Sequence, residues 1–176
     1  MKHKSLKTFP ILTSERLTLR QLSDSDVHEI FLLRSNPVIN KYIDRQPCKT
    51  LESASDFIQT IKSNSLSYWA ITQKGKEKLV GTICLFNLSD ELKKCEIGYE
   101  LLTEYQGKGI MKEAAQKIIE YAIQTLGLKT IDACTHKDNQ SSTNLLKVLK
   151  FKNIESVDTN SNLLLFQLSI STLKYL

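Results

Sequence analysis

The hydrophobic period changes sharply in the middle of this chain, and this change constrains the fold more than any other feature. Apolar and polar residues alternate with a period of two in three segments, Tyr68–Thr72, Leu79–Phe86 and Lys94–Leu102. Short connections at Gly75 and 87–90 separate them, so the pattern predicts three antiparallel strands joined by hairpins. An amphipathic helix that ends near Gly127 follows. Its apolar face consists of Ala115, Ile118, Ile119, Ala122 and Leu126.

The segments on either side of this block alternate between helix and strand. Polar–apolar alternation predicts a first strand at Glu15–Leu22, and helical spacing predicts two helices that begin after Ser23 and Thr50. Pro37 is expected to end the first of them. After the long helix come a strand, a helix and two last strands, at Thr130–Thr135, after Asn139, near 151–157 and near 162–170. We therefore expect an α/β (α+β) fold with about four helices on a mixed, mostly antiparallel sheet of about six to seven strands.

Length and composition fit one domain over residues 1–176, with a core at about 10–171. The 176 residues are 41% apolar and carry a formal net charge of +5. No apolar run is long enough for a membrane span or a secretory signal, so we expect a cytoplasmic protein without a membrane partner. No basic run supports nucleic-acid binding, a function that would rest on the net charge alone. Either a monomer or a homodimer fits this composition.

The cysteines give no sign of a metal site. Cys48, Cys84, Cys95 and Cys134 lie far apart, with no CxxC pair and no histidine at zinc spacing. We expect four reduced thiols and no bound metal.

A glycine-containing turn precedes the long helix. Gly107 and Gly109 flank Lys108, so the main chain can turn sharply there and leave its N–H groups uncovered. The first turn of the helix adds free N–H groups and the positive end of its dipole, an arrangement that suits a phosphate. Neither a Walker loop nor a dinucleotide fingerprint fits, because Leu102 and Lys112 stand where those motifs need glycine. An ordinary strand-to-helix turn is the alternative.

The residues around this turn resemble the acetyl-CoA-binding signature of the GNAT N-acetyltransferase superfamily, and in particular its RimJ/RimL branch. Gln106 and Gly109 match the pattern Gln/Arg-x-x-Gly-x-Gly/Ala, whereas Met111 stands at the last, usually small position. Further similarity lies in Ser14–Arg20, in Val80–Ile83 and in the segment from Asn139 to Phe151. In this last segment the usual Leu-Gly-Phe is Leu-Lys-Phe, so we expect a differently built turn at Lys150.

The resemblance implies where acetyl-CoA binds. The pyrophosphate would lie on the turn, and the pantetheine arm would pair with the main chain of the preceding strand. Asn139 would bond to the same arm, and Cys134 either faces it or is a buried thiol. The implied cofactor-binding residues are Tyr99, Glu100, Leu101, Leu102, Gln106, Gly107, Lys108, Gly109, Ile110, Met111, Asn139 and Ser142.

The resemblance also implies direct transfer of an acetyl group to an amine. The amine must lose a proton, and Glu96 and Glu100 share one face of their strand, so either is a candidate base unless both are surface carboxylates. Ser142 would donate to the cofactor thiol, and capping the helix is the alternative role of Asn139 and Ser142. His136 is a weaker candidate base. Arg34, Asn36 and Tyr42 lie where the family forms its acceptor pocket.

We therefore expect an acetyl-CoA-dependent N-acetyltransferase whose acceptor is a protein N-terminal amine, for instance that of a ribosomal protein. The alternatives are a CoA-binding regulatory module without catalysis and acetylation of a small amine such as a polyamine or an antibiotic. All of these use the same cofactor end, so the residues leave the acceptor open.

Overall fold

One mixed sheet runs through the protein in the computed structural model, which describes residues 9–64, 67–154 and 162–170. In these residues the sheet has eight strands: β1 Leu12–Thr13, β2 Leu17–Gln21, β3 Tyr68–Gln73, β4 Leu79–Ser89, β5 Lys94–Leu101, β6 Thr130–His136, β7 Lys152–Ile154 and β8 Leu163–Ser169. Their spatial order is β1-β2-β3-β4-β5-β6-β8-β7. Every neighbouring pair is antiparallel except β5 and β6, which are parallel.

Five helices lie among the described residues: α1 Val27–Ser35, α2 Pro37–Asn40, α3 Leu51–Ser63, α4 Ile110–Gln124 and α5 Gln140–Val148. Side chains fix where two of the helical segments start. Thr50 and Ser53 form a capping box at α3, and Ser23 and Asp26 form another at the short 3-10 turn before α1. None of these helices has the length and apolar character to cross a membrane.

The helices cover the two faces of the sheet. On one face, which we call the α4 face, α4 and α5 pack on the sheet through residues such as Ala115, Ile118 and Leu146. On the other, the α1/α3 face, Ile30 and Ile58 pack with strand residues. Removing these apolar side chains from water is the main stabilising contribution to the fold.

The predicted mixed, mostly antiparallel sheet is confirmed. Two short elements, β1 and α2, were not predicted, because two and four residues are too few to show a period. Pro37 does not simply end a helix, since α1 stops at Ser35 and Pro37 is the first residue of α2. The β4–β5 connection lies at 90–93 instead of 87–90. Residues 155–157 of the strand predicted near 151–157 lie outside the described residues.

The turn after α5 differs from our expectation. Lys150 adopts φ +68°, the left-handed conformation that glycine favours, and the N–H of Phe151 donates to the carbonyl of Leu146 at 3.0 Å. This is the usual glycine-type end of a helix. Lysine therefore occupies a glycine conformation, and the turn keeps its geometry despite the substitution.

Replacing Lys150 with glycine is expected to raise the free energy of unfolding by about 0.5–1 kcal/mol. The left-handed conformation destabilises a lysine by roughly 1–2 kcal/mol, and glycine removes this cost. The greater conformational freedom of glycine in the unfolded state offsets part of the gain. Urea denaturation measures the difference. Gly127 has the same φ of +68° after α4, so Gly127→Lys is the matched reverse change and should destabilise. A Lys150→Gly variant less stable than the unmodified chain would contradict this account.

Candidate active site

The strands β5 and β6 separate after a short parallel ladder. The ladder joins Lys94 to Thr130, Cys95 to Ile131 and Glu96 to Asp132, and within the described residues it ends there. Both strands continue, so an opening remains between 97–101 of β5 and 133–136 of β6, which we call the β5–β6 cleft.

One wall of the β5–β6 cleft presents main-chain polar groups. The N–H of Leu102 donates to the carbonyl of Val80 at 3.0 Å, toward β4. Because N–H and C=O groups alternate in direction along a strand, those of Ile97, Tyr99 and Leu101 point into the cleft. Such a strand edge can pair with another extended chain.

The glycine turn closes one end of the cleft. Gly107 and Gly109 have φ values of +72° and +75°, which explains why both positions are glycine. The main-chain N–H groups from Gly107 to Lys112 donate to no other described residue. The side chains of Ile110 and Met111 are buried in the core. The side chain of Met111, at the motif position that is usually small, therefore does not cover the outer surface of the turn. The helix α4 begins at this turn, as predicted.

Side chains hold this turn against the sheet. The Nε2 of Gln106 donates to the carbonyl of Leu101 at 3.0 Å, and the Nη1 of Arg16 donates to the carbonyl of Lys108 at 3.2 Å. The Nε of Arg16 donates to Glu113 at 2.6 Å, and Ser14 donates to the same carboxylate. Burial opposes ionisation of Glu113, but these hydrogen bonds lower its pKa below the usual value.

The start of α5 lies on the α4 face of the cleft. The Oδ1 of Asn139 accepts from the N–H of Ser142 at 3.2 Å, so Asn139 caps the helix. The Oγ of Ser142 lies 2.8 Å from the hydroxyl of Tyr99, which brings two predicted site residues together across the cleft. Burial raises the pKa of Tyr99, and the hydrogen bond to Ser142 partly opposes this shift.

A cavity of about 190 Å³ lies on the α1/α3 face, between those helices and the strands β3 to β5. The buried carboxylate of Glu100 accepts hydrogen bonds there from Arg45, from Tyr68 at 3.3 Å and from Thr82 at 3.2 Å. Burial, together with the charge of Glu100, raises the pKa of the Cys84 thiol to about 12 and that of Tyr68 well above its usual value. Both groups are therefore neutral at physiological pH.

Glu96 has a more open environment than Glu100. It is half-buried at the point where β5 and β6 separate, and among the described residues it accepts one hydrogen bond, from Asn87 at 2.8 Å. The thiol of Cys134 is exposed, and its pKa is raised by burial of part of the side chain and by the nearby charges of Glu96 and Asp132. The prediction of a buried thiol at Cys134 is therefore wrong, and the alternative, that Cys134 faces the pantetheine arm, stays a prediction.

The other predicted residues lie around the same region. The ring of His136 stacks on Tyr42 with centroids 5.2 Å apart, and its Nδ1 accepts from the N–H of Asp138. Asn36 caps α2, and Arg34 lines the cavity beside Glu100. The roles assigned to these residues, to Glu96 and Glu100 and to the cofactor-binding set stay predictions.

Sequence reasoning missed Arg16, Arg45 and Glu113. Each acts through a partner 55 to 97 positions away in the chain, as the pairs Arg16–Glu113 and Arg45–Glu100 show. No local pattern reports such a pairing. In the described part of the chain, no group of three or more His, Cys, Asp or Glu side chains has the arrangement of a metal site.

Comparisons with known proteins identify the family. The profile of the acetyltransferase (GNAT) domain matches residues 16–152. The chain is 33% identical over 148 residues to the uncharacterized N-acetyltransferase YoaA of Bacillus subtilis, and the matched region covers 82% of this chain and 84% of that protein. It is 36% identical over 146 residues to the uncharacterized N-acetyltransferase p20 of Bacillus licheniformis, and this match covers 80% of this chain and 82% of that protein.

A solved structure agrees in fold. The RimL ribosomal L7/L12 α-N-protein acetyltransferase, in complex with coenzyme A disulfide-bonded to one of its cysteines, matches with a TM-score of 0.78 at 18% identity over 93% of this chain and 99% of that one. GNAT acetyltransferases use acetyl-CoA as co-substrate. The predicted family is confirmed: the chain belongs to the GNAT superfamily and is an acetyl-CoA-dependent N-acetyltransferase.

Proposed function

We propose that this enzyme acetylates the N-terminal amine of a protein, by direct attack of the amine on bound acetyl-CoA in a ternary complex. The observation that carries the proposal is the β5–β6 cleft, which has along one wall main-chain groups without a partner in the described part of the chain, the glycine turn at one end and a separate cavity on the α1/α3 face. A cofactor and an acceptor can thus approach one point from two sides. The likeness to RimL motivates the choice of a protein amine.

The residues at the cleft fit the chemistry of coenzyme A. The N–H groups from Gly107 to Lys112, which have no partner among the described residues, and the start of α4 offer hydrogen bonds and positive potential to a pyrophosphate. The main-chain groups of Tyr99 and Leu101 are available to the amide groups of the pantetheine arm. Lys108 is exposed and adds a positive charge at the entrance.

We assign the role of general base to Glu96. The attacking amine must be uncharged, so a nearby carboxylate has to accept its proton. Glu100 already accepts hydrogen bonds from Arg45, Tyr68 and Thr82, so both of its carboxylate oxygens have partners. Glu96 accepts from Asn87 alone among the described residues and stands where the two strands separate. Glu100 then serves to hold Arg45.

The Tyr99–Ser142 pair would stabilise the leaving group. As the new C–N bond forms, the C–S bond of the thioester breaks and the sulfur takes the electron pair. Ser142 donates a hydrogen bond to that sulfur, and Tyr99 donates to the Oγ of Ser142. The proton lost by the amine passes to Glu96, and the sulfur leaves with the electron pair as the thiolate of coenzyme A, stabilised by the hydrogen bond from Ser142.

Glu96→Gln is expected to lower kcat by about 100-fold, which is at the lower end of the rate reductions that follow the loss of a general base. Its Kd for acetyl-CoA should change by less than about twofold, because no cofactor contact is assigned to that carboxylate. Steady-state assays with an N-terminal peptide and calorimetry with acetyl-CoA measure the two quantities. Glu91→Gln, an exposed carboxylate in the β4–β5 connection, is the control. An unchanged kcat would remove Glu96 from this role.

Gly107→Ala is expected to weaken acetyl-CoA binding about tenfold, as a methyl group and a strained left-handed residue disturb the N–H groups of the turn. Gly75 provides a closely matched control. It has φ +76° against +72° for Gly107, and a Cβ at either position meets no atom within 4 Å. Both variants should lose similar stability, and only Gly107→Ala should lose affinity in calorimetry. Equal affinities would argue against a pyrophosphate site at the turn.

Acetyl-CoA is expected to protect Cys134 from alkylation at least fivefold in rate, because the bound arm covers the cleft edge on which this exposed thiol lies. The experiment uses iodoacetamide at pH about 9, where more of a thiol with a raised pKa is ionised. Mass spectrometry of the modified peptide separates Cys134 from the two buried cysteines and Cys84. If saturating acetyl-CoA left the alkylation rate of Cys134 unchanged, the pantetheine arm would not lie along β6.

A further inference from the structure

The cavity on the α1/α3 face contains an excess of positive charge. Its charged lining residues are Arg34, Arg45 and Glu100. Glu100 and Arg45 form a buried ion pair and neutralise each other. Tyr68 and Cys84 also line the cavity and are neutral. The net charge of the lining is therefore that of Arg34.

Arg34 has no anionic partner in the described part of the chain. Its guanidinium lies over the ring of Phe57, with the central carbon 3.9 Å from the ring centroid, and forms no ion pair or side-chain hydrogen bond with a described residue. Partial burial lowers the pKa of Arg34, and the charge of Arg45 lowers it further, with only partial compensation from Glu100. An anion in the cavity would relieve both effects.

The geometry of Arg34 favours a carboxylate as that anion. The Phe57 ring lies against the guanidinium, and no described side chain pairs with the N–H groups of Arg34. The N–H edge of a guanidinium matches the two oxygens of a carboxylate in a bidentate pair. The cavity of about 190 Å³ is smaller than the roughly 300–1,000 Å³ of sites that enclose a whole ligand, so it receives one group of the acceptor.

We propose that Arg34 is a specificity-determining residue that selects peptide acceptors with an acidic side chain at the second or third position. This inference rests on the proposed N-terminal acetylation and names the sequence class of its acceptor. The amine would stand at the cleft near Glu96 while the carboxylate of the following residue pairs with Arg34. A polyamine would instead place a cation beside the uncompensated positive charge of Arg34, which disfavours that acceptor.

The test compares three peptides that start with alanine and differ only at positions two and three, which are Glu-Glu, Gln-Gln or Lys-Lys. The wild-type kcat/KM is expected to be about tenfold higher for the Glu peptide than for the Gln peptide, because one charge-assisted hydrogen-bonded pair forms with Arg34. It should be lowest for the Lys peptide. In Arg34→Gln the ratio of Glu to Gln peptide should fall below about twofold. In Arg34→Lys it should be intermediate, because the charge remains without the planar edge. Lys76→Gln, which removes an exposed charge in the β3–β4 turn, should keep the full ratio.

Calorimetry of the same peptides with CoA-loaded protein separates this inference from the proposed function. Tighter binding of the Glu peptide that is lost in Arg34→Gln supports the role of Arg34 even if no peptide is acetylated, and that result would overturn only the proposed acceptor. Acetylation without preference between Glu and Gln peptides would overturn the role of Arg34 and keep the proposed function. A preference that survives in Arg34→Gln, or no peptide binding at all, would also overturn the inference.

Discussion

The parallel pairing of β5 and β6 stops after three residue pairs, and the rest of the site depends on this separation. Each strand is paired on its other side, β5 in a long antiparallel ladder with β4 and β6 in one with β8, so the opening lies between two strands that each have another partner. Strand-edge hydrogen-bonding groups are thereby left available inside the sheet, where they are protected from chance pairing with another protein. The glycine turn, the start of α5 and the cavity all adjoin this opening.

The two faces of the sheet carry different parts of the proposed reaction. On the α4 face, Tyr99 and Ser142 form a donor pair beside the proposed thiol position. On the α1/α3 face, Glu96 and the arginine-lined cavity face the proposed acceptor. An acceptor and a cofactor that enter from opposite faces meet only where β5 and β6 separate. Such positioning supplies a large part of the rate enhancement in a direct transfer between two bound reactants.

Local patterns predicted the parts of the site that depend on neighbouring residues. The two glycines indicated a sharp turn, and Gly107 and Gly109 indeed have positive φ, while Asn139 caps α5, which was the alternative role that its sequence position allowed. Pairings between distant segments could not be predicted in this way. Arg45 comes from the loop after α2 and meets Glu100 of β5, and Tyr99 meets Ser142 of α5. Only the three-dimensional arrangement distinguished Glu100, which is fully engaged, from Glu96, which is more open.

The central claim is that the glycine turn and the exposed edge of β5 receive acetyl-CoA, and amide hydrogen exchange tests it most directly. Exchange is measured on the unmodified protein with and without saturating acetyl-CoA. The account predicts slower exchange mainly at Ile97, Tyr99 and Leu101 and at residues 107–112, because these N–H groups gain partners on binding. Saturating acetyl-CoA that leaves both segments unprotected, or that protects only the cavity on the α1/α3 face, would contradict it.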